Sequence, residues 1–347
     1  MTVSAETAWP KDARAHAQAR TRDGVVDTLR GVAILMVIGI HSLPKADGSA
    51  LVTAVDAALR PCVPIFLLVS GYLTARSGHV PLVKRVWRTI VPYTIAFIAA
   101  YVFMALANPA MDHRPAVALA RYVFAYVFVY YYVFVYVGCT VALWAAIALA
   151  GEDEGRDRRL ILLLLLAIPV GLAFGAYIDP LLQHLGVGEA IIDEVRMRDL
   201  PFWFAFMAAG TLAGLFRAGA LFHTMRYPLA AAAVAAYAVY AGVRIAGIGD
   251  AANYDSVAFF LYAILACIVL LGFAPESAAL ATLGSASYFI YLWHIFVIMA
   301  LRQFDALQLH PILSTIVEYT AALSICAAAV LLLRRVMPPR IAQGLGI

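Results

Sequence analysis

The chain has 347 residues, of which 64% are hydrophobic and 13% charged, with a formal net charge of +4. A mean hydropathy of +0.87, with the apolar residues gathered in blocks of about 20, excludes an ordinary soluble globule and marks a polytopic membrane protein. The slight basic excess follows from topology, as shown next, and is no sign of nucleic-acid binding.

Ten apolar segments are long enough to be candidate spans, at about 25–43, 58–76, 86–107, 130–150, 160–178, 200–217, 227–247, 256–274, 284–302 and 311–334. They predict an all-α helical bundle of about ten transmembrane helices. With the amino terminus inside, roughly two thirds of the Lys and Arg residues fall in inner segments, as the positive-inside rule requires. The expected topology is therefore a multi-pass protein of the plasma membrane with both termini cytoplasmic. Residues 1–22 are polar and carry no apolar core behind a basic start, so they read as a disordered cytoplasmic tail and not as a signal peptide. Residues 23–336 form the membrane domain, and 337–347 a second cytoplasmic tail.

The first span begins Asp27-Thr28-Leu29-Arg30-Gly31 and ends at His41. Eleven residues at 100° each bring Arg30 and His41 within about 20° of one helix face, roughly 16 Å apart along the axis. Asp27 lies one turn below Arg30 on that face. A short outer loop with Pro44, Asp47 and Gly48 leads to Pro61-Cys62-Val63-Pro64-Ile65-Phe66 and Ser70-Gly71-Tyr72. That pattern suggests a distorted helix packed closely on a neighbour.

The next inner loop carries Lys84, Arg85 and Arg88, then Pro92. Arg85 and Arg88 share a helix face; they serve either as snorkelling topology anchors or as paired guanidinium forks for a multiply charged phosphate. The run from Arg121 to Val137 holds Tyr126, Tyr130, Tyr131, Tyr132 and Tyr136, which fits an interfacial belt or a platform on which sugars stack. The outer loop from Asp179 to Asp199 is rich in mixed charge and reads as solvated. Cys62, Cys139, Cys267 and Cys326 are isolated in apolar segments and read as packing residues; no metal site is expected.

Late in the chain, Gly284, Ser287, Tyr291 and His294 fall at i, i+3, i+7 and i+10, so they predict one small and polar stripe facing the bundle interior. Glu318 lies inside the last span and needs a partner that the sequence does not name. Titratable groups in a bilayer are costly, which makes His41 and His294 functional candidates.

Taken in order, these stretches resemble the acyltransferase 3 family of integral membrane acyltransferases. The matching residues are Asp27 to Gly31 with His41 eleven positions after Arg30, then Val63-Pro64-Ile65-Phe66 through Ser70-Gly71-Tyr72. Arg85-x-x-Arg88 with Pro92, the Gly-containing span Phe206 to Gly214, and Leu283-Gly284 through Ser287-Tyr288 to Tyr291-Leu292-Trp293-His294 complete the set. The resemblance implies transfer of an acyl group, commonly acetyl from cytoplasmic acetyl-CoA, to a hydroxyl of a sugar, exported glycan or lipid-linked precursor. It places His41 at the chemistry with Arg30 and Asp27, and Arg85 and Arg88 at the acyl-CoA site, with Ser70 and Tyr72 from the second motif. Ser287, Tyr291 and His294 belong to the late motif, whose role is open.

Acyl-CoA would be a co-substrate, no bound cofactor is implied, and the partners are acyl-CoA, the glycan acceptor and the lipid bilayer. The chain departs from the family pattern at Thr28, where glycine is frequent, in the tyrosine-rich run, and at Arg334-Arg335-Val336-Met337-Pro338-Pro339, which lacks a Glu-x-Pro. A small hydroxylated metabolite is the alternative acceptor; a secondary transporter and a non-catalytic scaffold are the rivals from other classes.

Overall fold

The computed structural model describes residues 24–44, 49–108, 110–127, 129–249, 253, 255–304, 307 and 309–347. The expected tail 1–22 and loop residues Lys45, Asp47 and Gly48 lie outside them. The described residues fold as helices: α1 Gly24–Ser42, α2 Ala50–Leu59, α3 Cys62–Ser77, α4 Leu82–Ala107, α5 Pro115–Val123, α6 Tyr131–Ala150, α7 Arg156–His184, α8 Glu189–Met197, α9 Leu200–Leu215, α10 Gly219–Thr224, α11 Arg226–Ala246, α12 Val257–Phe273, α13 Ala278–Ser285, α14 Ser287–Leu301, α15 Pro311–Val336 and α16 Pro339–Gly344.

Every one of the ten apolar segments is helical. Among the described residues, seven helical stretches are long and apolar enough to cross a membrane, and the pair α13 and α14 adds an eighth if taken as one span. The remaining two, α9 with 16 residues and α12 with 17, rise only about 24 to 26 Å, short of a hydrocarbon core of about 30 Å. Their length is no handicap inside the bundle. Phe202, Phe206 and Met207 of α9 are wholly buried, as expected of a helix that is apolar all round.

The Ser-Gly pair of α3 finds its predicted neighbour in α9. A methyl at Gly71 would collide with the Met207 carbonyl, and one at Gly210 with the Leu68 carbonyl. Small residues on both sides thus let two backbones touch where lipid provides no hydrophobic drive.

The late stripe is not one helix face. The chain breaks at Ala286, and α13 and α14 are bent by 79°. Small residues at 284–287 offer the helix little side-chain support, and Ser285 Oγ donates back to the Thr282 carbonyl at 2.8 Å, closing α13. Gly284 therefore faces α1, while Ser287 and Tyr291 continue on α14. The segment expected as a carboxy-terminal tail forms α16, with Ala342 buried.

The tyrosine run is mostly core. Tyr126 is exposed, whereas Tyr130 and Tyr132 are buried. The Tyr130 hydroxyl donates to the Leu292 carbonyl at 2.8 Å, and Tyr291 returns a bond to the Val129 carbonyl at 2.6 Å. These reciprocal bonds lock the start of α6 to α14. All four cysteines are free and buried, in keeping with packing roles.

The outer loop from Asp179 to Asp199 is not merely solvated. Arg196 on α8 donates to Asp179 at 2.6 Å and to Asp193 at 2.6 Å, with Asp255 3.9 Å away. Burial and the neighbouring Asp179 carboxylate push Asp255 up to about 7, and burial pushes Asp199 up to about 6. Both values lie above the roughly 3.9 of an unfolded Asp. The native state thus holds extra protons, so this contribution to stability is full below pH 4 and is lost as pH rises through 7. Thermal unfolding in detergent is expected to give a lower Tm at pH 8 than at pH 5.5, and Asp255→Asn to narrow that gap. An unchanged gap would show that Asp255 is ionised in the native protein.

Candidate active site

The site is assembled on the contact of α1 with α13. Thr28 Oγ1 accepts the Ser277 N–H at 3.1 Å and donates to the Ser277 carbonyl at 3.4 Å, so the departure from glycine anchors the start of α13. One turn further along, a methyl at Gly284 would collide with the Asp27 carbonyl, and one at Gly31 with the Leu280 carbonyl. Asp27 is buried and sits 3.5 Å from Arg30 Nη1. It steers the Arg30 side chain and lines neither space described below.

At this end of the bundle lies a cavity of about 740 Å³ bordered by Arg30, Arg85, Arg88 and Arg334, by Ser70, Ser285 and Ser287, and by Thr89, Tyr132, Tyr136, Tyr288 and Tyr291. Among the described residues that line it, which include Ile347 at the end of the sequence, there is no Asp or Glu side chain. Arg85 Nη1 donates to Thr74 Oγ1 at 2.8 Å, and Arg334 Nη2 to Ser285 Oγ at 2.8 Å, which fixes both guanidinium planes. Tyr288 ties α14 to α4 through the Thr89 carbonyl at 2.7 Å. Four arginines with no Asp or Glu side chain among the described lining residues suit a multiply charged anion. Tyr72 lies elsewhere, with the Arg76 guanidinium 5.8 Å over its ring.

His41 opens on a second, smaller space of about 160 Å³, shared with Arg60, Cys62, Tyr131, Trp203 and Phe259. Tyr132 and Tyr291 line this chamber as well as the arginine cavity. Their rings meet edge to face, 5.5 Å between centroids, and form the wall between the two. The single groove expected from Arg30 to His41 is thus divided: Arg30 belongs to the cavity and His41 to the chamber.

Beside the chamber, the His41 and His294 rings lie 5.3 Å apart. Glu318, whose partner the sequence left unnamed, accepts from Arg302 Nε at 3.0 Å and from Ser314 Oγ at 2.8 Å. Arg302 also donates to the carbonyls of His41 at 2.7 Å and Leu43 at 3.4 Å. It therefore satisfies the open end of α1 as a cation near a helix carboxy terminus should.

A family model described as an acyltransferase domain matches residues 23–335. The chain belongs to the acyltransferase 3 family. It is a multi-pass membrane acyltransferase. No curated protein and no solved structure matches the chain at a significant level.

Of the residues read from the sequence, the fold gathers Arg30, Ser70, Arg85, Arg88, Ser287 and Tyr291 around one cavity, and brings His41 to His294. Sequence reasoning missed Arg334, Ser285, Arg60 and Arg302. The signal for Arg302 was present: an acid buried in a span needs a cation at the same depth, and Arg302 closes the preceding antiparallel helix. Nothing in the spacing marked Arg60. Gly284→Val is expected to force α13 off α1 and lower the Tm by several degrees, since overpacking costs about 1–3 kcal/mol and here the obstacle is backbone; an unchanged Tm would show that this contact is not rigid.

Proposed function

We propose that the protein moves an acyl group, acetyl in the simplest case, from cytoplasmic acyl-CoA to a hydroxyl of a sugar, exported glycan or lipid-linked precursor at the plasma membrane. The observation that carries this reading is the pairing of a cavity lined by four arginines with a histidine chamber across one wall of two tyrosines. The positive-inside bias supports an arginine end in the cytoplasm, with both termini on that side. There Arg85, Arg88, Arg334 and Arg30 bind the diphosphate and 3′-phosphate of CoA by charge-assisted hydrogen bonds, and the thioester arm runs past Tyr132 and Tyr291 to His41. The position of Arg30 in the cavity supports a role on the donor and not on an oxyanion beside His41.

A hydroxyl is a weak nucleophile near neutral pH, and histidine has the pKa suited to activate it. His41 takes the proton of the acceptor hydroxyl as its oxygen bonds to the thioester carbonyl carbon. The carbon–sulfur bond then breaks, and the CoA thiolate leaves with the proton returned by the His41 imidazolium. The small chamber, about 160 Å³, favours a short acyl group.

The test is transfer of labelled acetyl from acetyl-CoA to surface glycan in membranes holding the wild type or His41→Ala. Alkali-labile label with the wild type and a loss of at least about 100-fold with His41→Ala is expected. No label with either protein over several acyl-CoAs and acceptors, joined to ion-driven uptake of a solute, would make the protein a transporter. Arg85→Ala and Arg88→Ala are each expected to weaken acyl-CoA binding by about 10-fold or more, as loss of a charged hydrogen bond of about 1.5–3 kcal/mol requires, while Tyr72→Phe leaves it unchanged. Unaltered affinity in the arginine variants would make the pair topology anchors.

A further inference from the structure

His294 is completely buried on α14. Its Nδ1 lies 3.0 Å from the Ile290 carbonyl. A carbonyl oxygen only accepts, so Nδ1 carries the proton and Nε2 keeps its lone pair. That Nε2 is buried and makes no hydrogen bond. An orphaned buried acceptor costs about 1–3 kcal/mol, which a leucine at the same place would avoid.

The His41 ring lies 5.3 Å from this ring, centroid to centroid, nearer than the Tyr291 ring at 6.3 Å. The polar side chains that line the chamber with His41 are Arg60, Cys62, Tyr131, Tyr132, Trp203 and Tyr291. Arg60 is donor only and reaches Asp56 at 2.9 Å; Cys62 gives its hydrogen to the Arg60 carbonyl at 3.7 Å, and Tyr291 gives its own to Val129. Behind His41, Arg302 at the end of the helix that carries His294 grips the His41 carbonyl and is itself neutralised by Glu318. One helix thus addresses both the ring and the backbone of His41.

We propose that His294 is a positioning residue whose Nε2 accepts the N–H of His41 in the reacting complex, fixing the tautomer that leaves the other His41 nitrogen bare for the acceptor hydroxyl. Such bonds are often loose before substrate binds and tighten with it. A neutral imidazole performs the orienting role without adding a second charge to an apolar site. The proposal rests on the reading of His41 as general base.

Two variants of the full-length protein separate this role from packing. His294→Leu fills the site with an apolar side chain and no acceptor; His294→Gln returns a carbonyl oxygen near the former Nε2. His294→Leu is expected to keep the wild-type Tm or exceed it, lower kcat at least about 10-fold, and leave KM for acetyl-CoA within about twofold, because the arginine cavity is untouched. His294→Gln is expected to recover most of that loss. A leucine variant with wild-type kcat, or a glutamine variant no better than leucine, would overturn the proposal.

A second readout does not depend on acyl transfer: the rate at which diethyl pyrocarbonate modifies His41, followed by peptide mass spectrometry. Slowing in His294→Leu with recovery in His294→Gln is expected. That pattern in a protein lacking acetyl transfer would overturn the acyltransferase chemistry and leave the histidine pairing standing. Equal rates in all three proteins, with transfer intact, would sink the pairing and leave the chemistry.

Discussion

The backbone contact between α1 and α13 is what the site depends on. Gly284 against the Asp27 carbonyl and Gly31 against the Leu280 carbonyl bring two chain segments, some 250 residues apart, closer than any side chain would allow. Thr28 pins the first turn of α13, and Asp27 directs Arg30 into the cavity. Because α13 turns sharply into α14, the same contact sets where Ser287, Tyr291 and His294 project. Cavity-side arginine and chamber-side histidine are therefore referred to one rigid joint at the foot of α1.

A second constraint is the cost of polar groups in an apolar medium, which is met here by pairing nearly all of them. Glu318 is held by Arg302 and Ser314, Tyr93, Tyr130, Tyr262 and Tyr291 give their hydroxyls to carbonyls, and Arg196 gathers several aspartates at the outer loop. Polar groups satisfied in this way rigidify the parts around them. Against that background, the Nε2 of His294, which has no hydrogen bond among the described residues, is open to a partner that arises during the reaction. Exceptions to polar satisfaction call for an explanation, and His294 Nε2 shares that standing with Asp199 Oδ2 and Asp255 Oδ2 among the described residues.

Much of this was legible in the sequence because the bilayer imposes strong patterns. All ten apolar blocks are helical, the ninth as a pair of helices bent at Ala286, and the Ser70-Gly71 pair announced a close neighbour that proved to be the Gly210 stretch. Arg85 and Arg88, three apart, do share a face. Periodicity failed where local chemistry interrupts a helix: the small residues at 284–287 continue a 3.6-residue pattern, yet the chain bends at Ala286. Tyrosine composition also misled. An interfacial belt and a buried hydrogen-bonded cluster use the same residue, and only the location of carbonyl partners tells them apart. Arg60 carries no mark in the sequence because pairing across helices depends on depth and rotation, whereas Arg302 is announced by the buried acid of the following span.

The wall of Tyr132 and Tyr291 has an electrical consequence. Polar spaces that enter a bundle from opposite ends narrow the insulating layer between them, so a membrane potential falls mostly across the partition that remains. Moving one elementary charge through such a layer costs about 2.3 kcal/mol per 100 mV. The phosphates of CoA need never make that passage in the proposed transfer, since an uncharged acyl group is the only part handed on. The tyrosine partition would thus let material cross while the ion gradients of the cell stay intact.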